Sequence, residues 1–186
     1  MMKSSRQWAA TAAAVMCVGV GLGLAGPASA ANPNPGVLPV QSGAFGATYG
    51  QWSARWWQWA LSAPAADNPV LHATGANCAV GQSGPVWFLA GNFKRGRYFR
   101  TCTVPAGRAL FFPIINSFSA ADPGESLTFQ QVLARARAGN AGATGSAEID
   151  GRAVHNLPDY LVESPEFALT LSDENFFGPA AAGVSE

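Results

Sequence analysis

One aromatic stretch of the chain, "YGQWSARWWQWAL", has its apolar residues at helical spacing. Separations of three, four and three positions place a tyrosine and three tryptophans in one stripe, at about 100° per residue. These residues are Tyr49, Trp52, Trp56 and Trp59. Thr48 and Gln51 have the spacing of a capping box, and Pro64 cannot continue a helix. The pattern predicts a helix over residues 48–63 that is mostly covered by other parts of the protein.

The tryptophans of this helix have two interpretations, burial in a core or display to a ligand. Trp57 lies off the stripe, so it is the candidate for a ring that stacks on a sugar or on an apolar ligand. Arg55 and Gln58 lie on the narrow polar face beside it and complete this candidate ligand-binding site. The stripe itself favours burial. Contact with a membrane surface is disfavoured, because interfacial helices usually carry several basic residues and Arg55 is alone here.

Three later runs have the residue pattern of strands. They span residues 85–91, 97–104 and 109–116, and turn-rich sequence joins each run to the next. One face of the middle run consists of Tyr98, Arg100, Cys102 and Val104. Pro113 lies inside the third run and predicts an edge strand or a bulged one. The short connections between the runs indicate consecutive antiparallel hairpins.

The rest of the chain adds one helix and further strands. Residues 126–139, "SLTFQQVLARARAG", predict a helix that ends at Gly139. Asp150 and Gly151 predict a two-residue hairpin, and two more strand-like runs are separated by Pro165. Because the strands come in adjacent hairpins, the pattern predicts a mainly β fold, either a β-sandwich or an α+β arrangement. Its antiparallel sheets would have the tryptophan-rich helix and one further helix packed against them.

The first thirty residues have the pattern of a secretory signal peptide. A basic start precedes a nearly uninterrupted apolar run, and a small-x-small cleavage signal ends at Ala30. A membrane anchor fits less well, because the run is rich in glycine and leads directly into the cleavage signal. The predicted organisation is a signal peptide over 1–30, an extended segment over 31–43 and a single globular domain over 44–186.

Removal of the signal peptide would change both the charge and the cysteine count. Cleavage after Ala30 leaves 156 residues with nine basic and eleven acidic side chains. This balance argues against nucleic-acid binding, and no remaining stretch could span a bilayer. Cys78 and Cys102 remain, and in an exported protein they most simply form a disulfide bond. A reactive or metal-binding pair is the alternative. The predicted location is secreted, either periplasmic or extracellular.

Three segments of the chain occur in an order that resembles a known family. They are "SARWWQWALSAP", "GQSGPVWFLAG" and "CTVPAGRALFFPIIN". They resemble a family of uncharacterised secreted bacterial proteins over residues 51–178, most specifically in the tryptophan cluster and in the string Cys102–Pro113. The resemblance implies export and a bond between Cys78 and Cys102, and it implies no catalytic residue. Members continue past "LSDENFFG" into further β-like sequence, so the resemblance predicts a shortened chain or a missing last hairpin here.

Neither a metal nor a cofactor is predicted from the ligand-type residues. Zinc takes three or four ligands, and only His72 and His155 are available if the cysteines are bridged. Calcium is easier to accommodate, because it binds oxygen ligands in loops. The candidate oxygens belong to Asp122, Glu125, Asp173, Glu174 and Asn175. Such runs are more often solvated turns, so no metal site is expected.

A basic cluster lies between the first two strand-like runs. It consists of Lys94, Arg95, Arg97 and Arg100, beside Phe93, Tyr98 and Phe99. Such a cluster could contact an anionic polymer, but four charges on a hairpin more often form a solvated turn. We therefore assign it no function from the sequence.

Catalysis has few candidates. "GQSGP" resembles a nucleophile elbow, but it has proline in place of the second glycine and it precedes a strand. His155 lies four residues before Asp159, and Glu163 follows. These three residues are the candidates for a small secreted hydrolase that works through carboxylates.

The function that the sequence favours is non-catalytic. We expect a secreted binding or interaction module for envelope carbohydrate or for another envelope protein, with Trp57, Arg55 and Gln58 at its site. The alternative is the hydrolase at His155 and Asp159.

Overall fold

The computed structural model describes residues 8–13, 15–20, 34, 36–93, 96–122, 124–175 and 177. This part of the chain contains two α-helices and nine short strands. The helices are α1 (Tyr49–Ser62) and α2 (Phe129–Gly139), with 3-10 turns at Ala44–Gly46 and Leu157–Tyr160. The strands are β1 (Trp8–Ala13), β2 (Val15–Val20), β3 (Val86–Phe88), β4 (Ala109–Pro113), β5 (Ser117–Ala120), β6 (Glu148–Ile149), β7 (Arg152–Ala153), β8 (Leu161–Val162) and β9 (Phe167–Leu169).

Helix α1 begins and ends where its sequence predicts. The Gln51 amide donates to the Thr48 hydroxyl at 3.2 Å, and the Thr48 amide donates to the Gln51 side chain at 2.9 Å. This capping box satisfies two amides that the first turn would otherwise leave free. Ala63 is extended, as expected of a residue before Pro64. The predicted helix over 48–63 is confirmed to within one residue at each end.

Helix α2 begins with the same kind of cap. Thr128 and Gln131 form a second capping box, in which the two amide-to-side-chain distances are 3.3 and 2.8 Å. The buried residues of this helix are Val132, Leu133 and Ala136. The predicted second helix and its end at Gly139 are confirmed, and the capping box explains why it begins at Phe129.

The strands form three small sheets. One has the order β5–β1–β9, another has the order β3–β4–β2–β8, and the third is the hairpin β6–β7. All pairings are antiparallel except that of β3 with β4, which is parallel. The hairpin turns at Asp150 and Gly151, both at positive φ, as the sequence predicts.

The prediction of a mainly β fold, as a β-sandwich or an α+β arrangement of antiparallel sheets, is wrong. The strands are only two to six residues long, and irregular segments occupy much of the chain between them. Residues 97–104, which were expected to form a strand, form none. A strand needs a neighbouring segment for its ladder, and in the described chain this run makes one backbone bond, from Thr101 N to Thr74 O at 3.0 Å.

Helix α1 is the centre of the hydrophobic core. Trp56 is 1 % exposed, and Leu61 is fully buried. Three tryptophans of the stripe donate their indole N–H groups to backbone carbonyls of three separate segments. The pairs are Trp52 with Ala44 at 3.0 Å, Trp56 with Leu89 at 2.9 Å and Trp59 with Val80 at 2.8 Å. The prediction that the stripe is buried is confirmed, and the N–H group of each of these three indoles is hydrogen-bonded.

Part of the predicted signal peptide is paired in the structure. β1 lies between β5 and β9, and β2 lies between β4 and β8. The chain is uncleaved here, so these pairings do not test the removal of residues 1–30, which stays a prediction. Within the described segments, no helix combines the length and the apolar character needed to cross a bilayer.

Cys78 and Cys102 form a disulfide bond, as predicted, with their Cα atoms 5.9 Å apart. The bond joins the loop that follows α1 to the extended run 97–104. A groove opens beside it, in which residues from four distant parts of the chain meet.

Candidate functional site

The ring of Trp57, the predicted ligand platform, is buried. It is 2 % exposed, and its centroid lies 5.0 Å from that of Trp56 and 5.1 Å from that of Phe118. Phe93 packs against it at 6.1 Å. The expectation that this ring faces solvent is therefore corrected. Segments that are distant in the sequence, around Phe93 and Phe118, cover the flank of α1 that the stripe leaves open.

Arg55 and Gln58, the other two residues of that predicted site, make contacts that support α1. The Arg55 guanidinium lies 4.4 Å from the centroid of the Trp52 ring, as a cation–π contact. The Gln58 amide donates to the Ala168 carbonyl at 2.8 Å and so joins α1 to β9. Their role in ligand binding stays a prediction.

The predicted catalytic residues do not form an acid–base pair. The backbone of His155 is bonded to the Asn34 side chain, at 2.6 Å to its oxygen and 2.8 Å to its amide. The side chains of His155 and Asp159 are both exposed, and no hydrogen bond joins them among the described residues. Glu163 forms a two-pronged ion pair with Arg137, at 2.5 and 2.9 Å. The hydrolase alternative therefore gains no geometric support.

Two of the five side chains considered for calcium, those of Glu125 and Asn175, are bonded to other groups of the protein. Glu125 forms a bidentate ion pair with Arg135 at 2.8 and 2.9 Å. This ion pair, and after it the hydrogen bond that the Asp122 amide donates, lower the pKa of Glu125 to about 2. The Asn175 amide donates to Ser172 O at 2.9 Å, so its side chain closes its own turn. No group of three metal-ligand side chains occurs in the part of the chain that the structure describes.

A groove of about 460 Å³, which we call the disulfide groove, opens beside the Cys78–Cys102 bond. Its apolar wall includes the two cysteines, Leu89, Val104, Leu110 and Phe112. Its polar side chains are those of Asn92, Tyr98 and Arg100. The groove thus combines residues from the end of β3, the extended run and β4. An apolar wall with a few polar groups is the usual composition of a small-molecule site.

Arg100 is the most heavily bonded side chain of the disulfide groove. Its Nε donates to His72 O at 2.8 Å, and its terminal nitrogens donate to four further oxygens. These belong to Val70, Ala90, Gly91 and the Asn92 side chain, at 3.1, 3.3, 3.1 and 2.6 Å. All five acceptors are neutral, and no described carboxylate forms an ion pair with Arg100. Burial lowers the pKa of Arg100, and the nearby Tyr98 acts in the opposite direction.

The tyrosine of the disulfide groove lies against this cation. The Arg100 guanidinium carbon is 5.2 Å from the Tyr98 ring centroid. Phe99, the next residue, belongs to the other face of the run and is 84 % exposed. From 97 to 104, half-buried residues alternate with exposed ones. The run therefore presents one face to the groove and the other to solvent.

The sequence contained the information for one wall of the groove. The alternation placed Tyr98, Arg100, Cys102 and Val104 on one face, and all four line the groove. The predicted face is confirmed, although the predicted strand is not. The opposite wall, formed by Leu89, Leu110 and Phe112, could not be assigned from the sequence, because nothing local indicates which segments pack there.

The structure separates the members of the basic cluster. Arg100 points its guanidinium inward to backbone carbonyls, whereas Arg97 is exposed. Lys94 and Arg95 lie outside the described residues. The sequence reading of the cluster as a solvated turn therefore missed Arg100, which a charged residue on the buried face of an alternating run could have indicated.

Comparison with protein-family models, with curated proteins and with solved structures gives no match.

Proposed function

We propose that the protein is an exported, non-catalytic binding module and that its disulfide groove takes an acidic envelope carbohydrate. The observation that carries the proposal is the Arg100 guanidinium, whose five hydrogen-bond acceptors among the described residues are all neutral oxygens, at the wall of a largely apolar groove. Export is supported by the disulfide bond, since such bonds persist in oxidising compartments, and by the signal-peptide pattern of residues 1–30.

The size and lining of the groove support a ligand of one or a few sugar units. Its volume of about 460 Å³ lies within the usual span of ligand sites, roughly 300 to 1,000 Å³. A sugar ring offers an apolar face that can pack on the Tyr98 ring. Its hydroxyl groups can exchange hydrogen bonds with the Asn92 amide. These two side chains therefore supply both kinds of contact that a carbohydrate requires.

The charge of the groove favours an acidic ligand over a neutral one. Arginine remains protonated in proteins, so burial leaves a positive charge at Arg100 without a described carboxylate partner. One N–H of its Nη2 also lacks an acceptor among the described residues. A ligand carboxylate would balance the charge and accept a charge-assisted hydrogen bond. A neutral sugar would provide neither.

The test is calorimetric titration of the full chain with oligosaccharides that contain uronic acids, and with the same oligosaccharides after reduction of their carboxyl groups. We expect the acidic forms to bind at least tenfold more tightly. Tyr98→Ala and Arg100→Lys should each weaken binding at least tenfold, because the first removes the stacking surface and the second removes the planar fork. Equal binding of acidic and reduced forms would contradict the proposal.

Phe99→Ala is the matched control for Tyr98→Ala. It removes a ring of the same run, one residue away, but Phe99 is 84 % exposed and does not line the groove. Its affinity should equal that of the unaltered protein. A loss as large as that of Tyr98→Ala would show that the ligand binds the outer face and not the groove.

A further inference from the structure

β1 pairs with β5 and β2 pairs with β4, in two different sheets, yet the two pairings share one register. Ala10 lies opposite Ala120, and Cys17 lies opposite Pro113. These positions are seven residues apart on both sides of the pairing, from 10 to 17 and from 113 to 120, so the two ladders have the same register. Residues 8–13 and 15–20 therefore run antiparallel to β5 and β4 in one common register.

The second neighbour shows the same continuity. Trp8 lies opposite Leu169, and Val15 lies opposite Val162, so these positions are again seven residues apart on both sides of the pairing. We call β1 and β2 together the N-terminal strand. It lies between β4 and β5 on one side and β8 and β9 on the other, and in the sheet orders these two pairs meet only through it.

Removal of the N-terminal strand would open a slot between these neighbours. Adjacent strands lie about 4.8 Å apart, so the two sides would stand roughly 10 Å from each other, too far for direct hydrogen bonds. The backbone groups that face the slot would lose their partners, which is costly in a protein interior. Phe111, Phe167 and Leu169 lie on the flanking strands and are buried, so the slot belongs to the core.

We propose that the slot, once the signal peptide has been removed, takes an extended segment of a protein partner as an added antiparallel strand. The proposal depends on the predicted cleavage after Ala30 and is independent of the carbohydrate groove. The segment that fills the slot in the intact chain, "WAATAAAVMCVGV", defines the chemistry of the partner segment, since it has neither charge nor proline.

A second groove supports an apolar partner. It has a volume of about 420 Å³, and its lining combines the apolar Phe118, Leu169 and Leu171 with the charged Asp122 and Arg135. Ala120 and Leu169 both line this groove and both pair with β1, so the groove adjoins one end of the slot. A partner strand that extends beyond the slot would place an apolar side chain there.

The experiment uses the full chain with a specific protease site in place of residues 26–31, so that the N-terminal strand can be cut free after folding. A fluorescent peptide with the sequence of residues 8–20 is then added in excess and followed by anisotropy. We expect the cut fragment to co-elute with the rest of the chain and to be exchanged for one peptide per chain. An uncharged peptide of alternating valine and alanine, thirteen residues long, should compete for the same slot.

The matched control is the same peptide with Thr11→Pro and Val18→Pro. The two positions are an odd number of residues apart, so their N–H groups point to opposite sides of the strand. Each proline therefore removes a ladder N–H from a different side. We expect at least hundredfold weaker binding. Hydrogen exchange at the amides of β5 and β9 should be at least tenfold faster when the slot is empty. Loss of the fold on stripping the fragment, reversed by the peptide and not by its proline form, would also support the proposal.

Three results would overturn the proposal. The first is a cut protein that binds neither peptide. The second is equal binding of the proline form, which would show that no ladder is made. The third is a cut protein that dimerises with increasing concentration and is not dissociated by the peptide, which would assign the slot to a second copy of this chain.

Discussion

Helix α1 and the extended run 97–104 both have a clear periodic pattern, yet they differ in what the pattern achieves. The hydrogen bonds of α1 close within the helix, so its pattern predicts both the element and its buried face. The run 97–104 keeps alternate residues half-buried, but only one backbone–backbone hydrogen bond joins it to another described segment. A strand pattern thus predicts a face, whereas the strand itself depends on a second segment.

The two regions also differ in the chemistry they leave at the surface. In α1 the indole groups of Trp52, Trp56 and Trp59 are bonded to carbonyls and buried. In the extended run, Tyr98 and Arg100 remain half-buried at a groove. We therefore expect substitutions in α1 to change stability, and substitution of Tyr98 in the run to change binding.

The largest effect is expected from Trp56→Ala. This change removes a ring that is 1 % exposed and touches Trp57 and Trp59, and it leaves the Leu89 carbonyl without its donor. Truncation of a buried tryptophan costs about 3 to 5 kcal/mol of the free energy of unfolding. Urea unfolding measures this cost. Phe99→Ala in the run should change it by less than about 0.5 kcal/mol, and equal losses would abolish the contrast.

The next effect is expected from opening the disulfide bond. Its cysteines are 24 residues apart, and closure of a loop of that size contributes about 3 kcal/mol. Cys102→Ser should lower the free energy of unfolding by that amount and abolish oligosaccharide binding. The helical circular dichroism of α1 should persist, because its hydrogen bonds do not depend on the groove. Unchanged binding would show that the groove forms without the bond.

Gly50→Ala should have a smaller effect on the free energy of unfolding. We expect it to destabilise the protein, although alanine has the higher helix propensity. An added Cβ would lie 2.3 Å from the Glu163 carbonyl oxygen, a backbone atom that cannot rotate away. Alanine would favour the helix by about 1 kcal/mol. We expect the clash to prevail and the free energy of unfolding to fall by about 1 to 2 kcal/mol.

Gly43→Ala is the control for this change, since an added Cβ there meets no atom within 4 Å. Urea unfolding of both variants provides the comparison. Stabilisation by Gly50→Ala would mean that α1 does not lie closely against the β8–β9 segment in solution.

The smallest effect is expected in acid, at the Glu125–Arg135 ion pair. Arg135, and after it the Asp122 amide, lower the pKa of Glu125 from 4.5 to about 2. Because the folded pKa is the lower one, the contribution to stability is present above about pH 4.5 and is lost as the pH falls toward 2. Both side chains are partly exposed, so the change should be slight.

Carbon-13 NMR titration of the Glu125 carboxyl measures this pKa directly. Glu125→Gln should flatten the pH dependence of stability in the same window and leave the α1 tryptophan fluorescence unaltered. A midpoint near 4.5 would show that the ion pair does not form in solution.

The candidate site was predictable on one side only. The alternation of residues 97–104 placed Tyr98 and Arg100 on the face that lines the groove. The burial of Trp57 was not predictable, because the rings of Phe93 and Phe118 reach it from segments 36 and 61 residues away in the chain. Helical spacing describes the faces of a helix and says nothing about what covers them.

The local features of this protein follow from the sequence alone. The N-terminal ends of α1 and α2 come from capping boxes within four residues, and the hairpin at Asp150 comes from a two-residue turn. The bond between Cys78 and Cys102 was predicted from the two cysteines that the expected removal of residues 1–30, with Cys17, would leave. The caps and the turn depend only on neighbouring residues.

Only the tertiary structure shows which distant segments meet. It enclosed Trp57, joined β4 and the extended run into the disulfide groove, and placed the N-terminal strand between two pairs of strands. These contacts depend on loop closure and on the shapes of surfaces far apart in the chain, and many segments satisfy the same local pattern. Periodicity therefore identifies the surfaces of this protein, and long-range packing selects which of them become core, groove or slot.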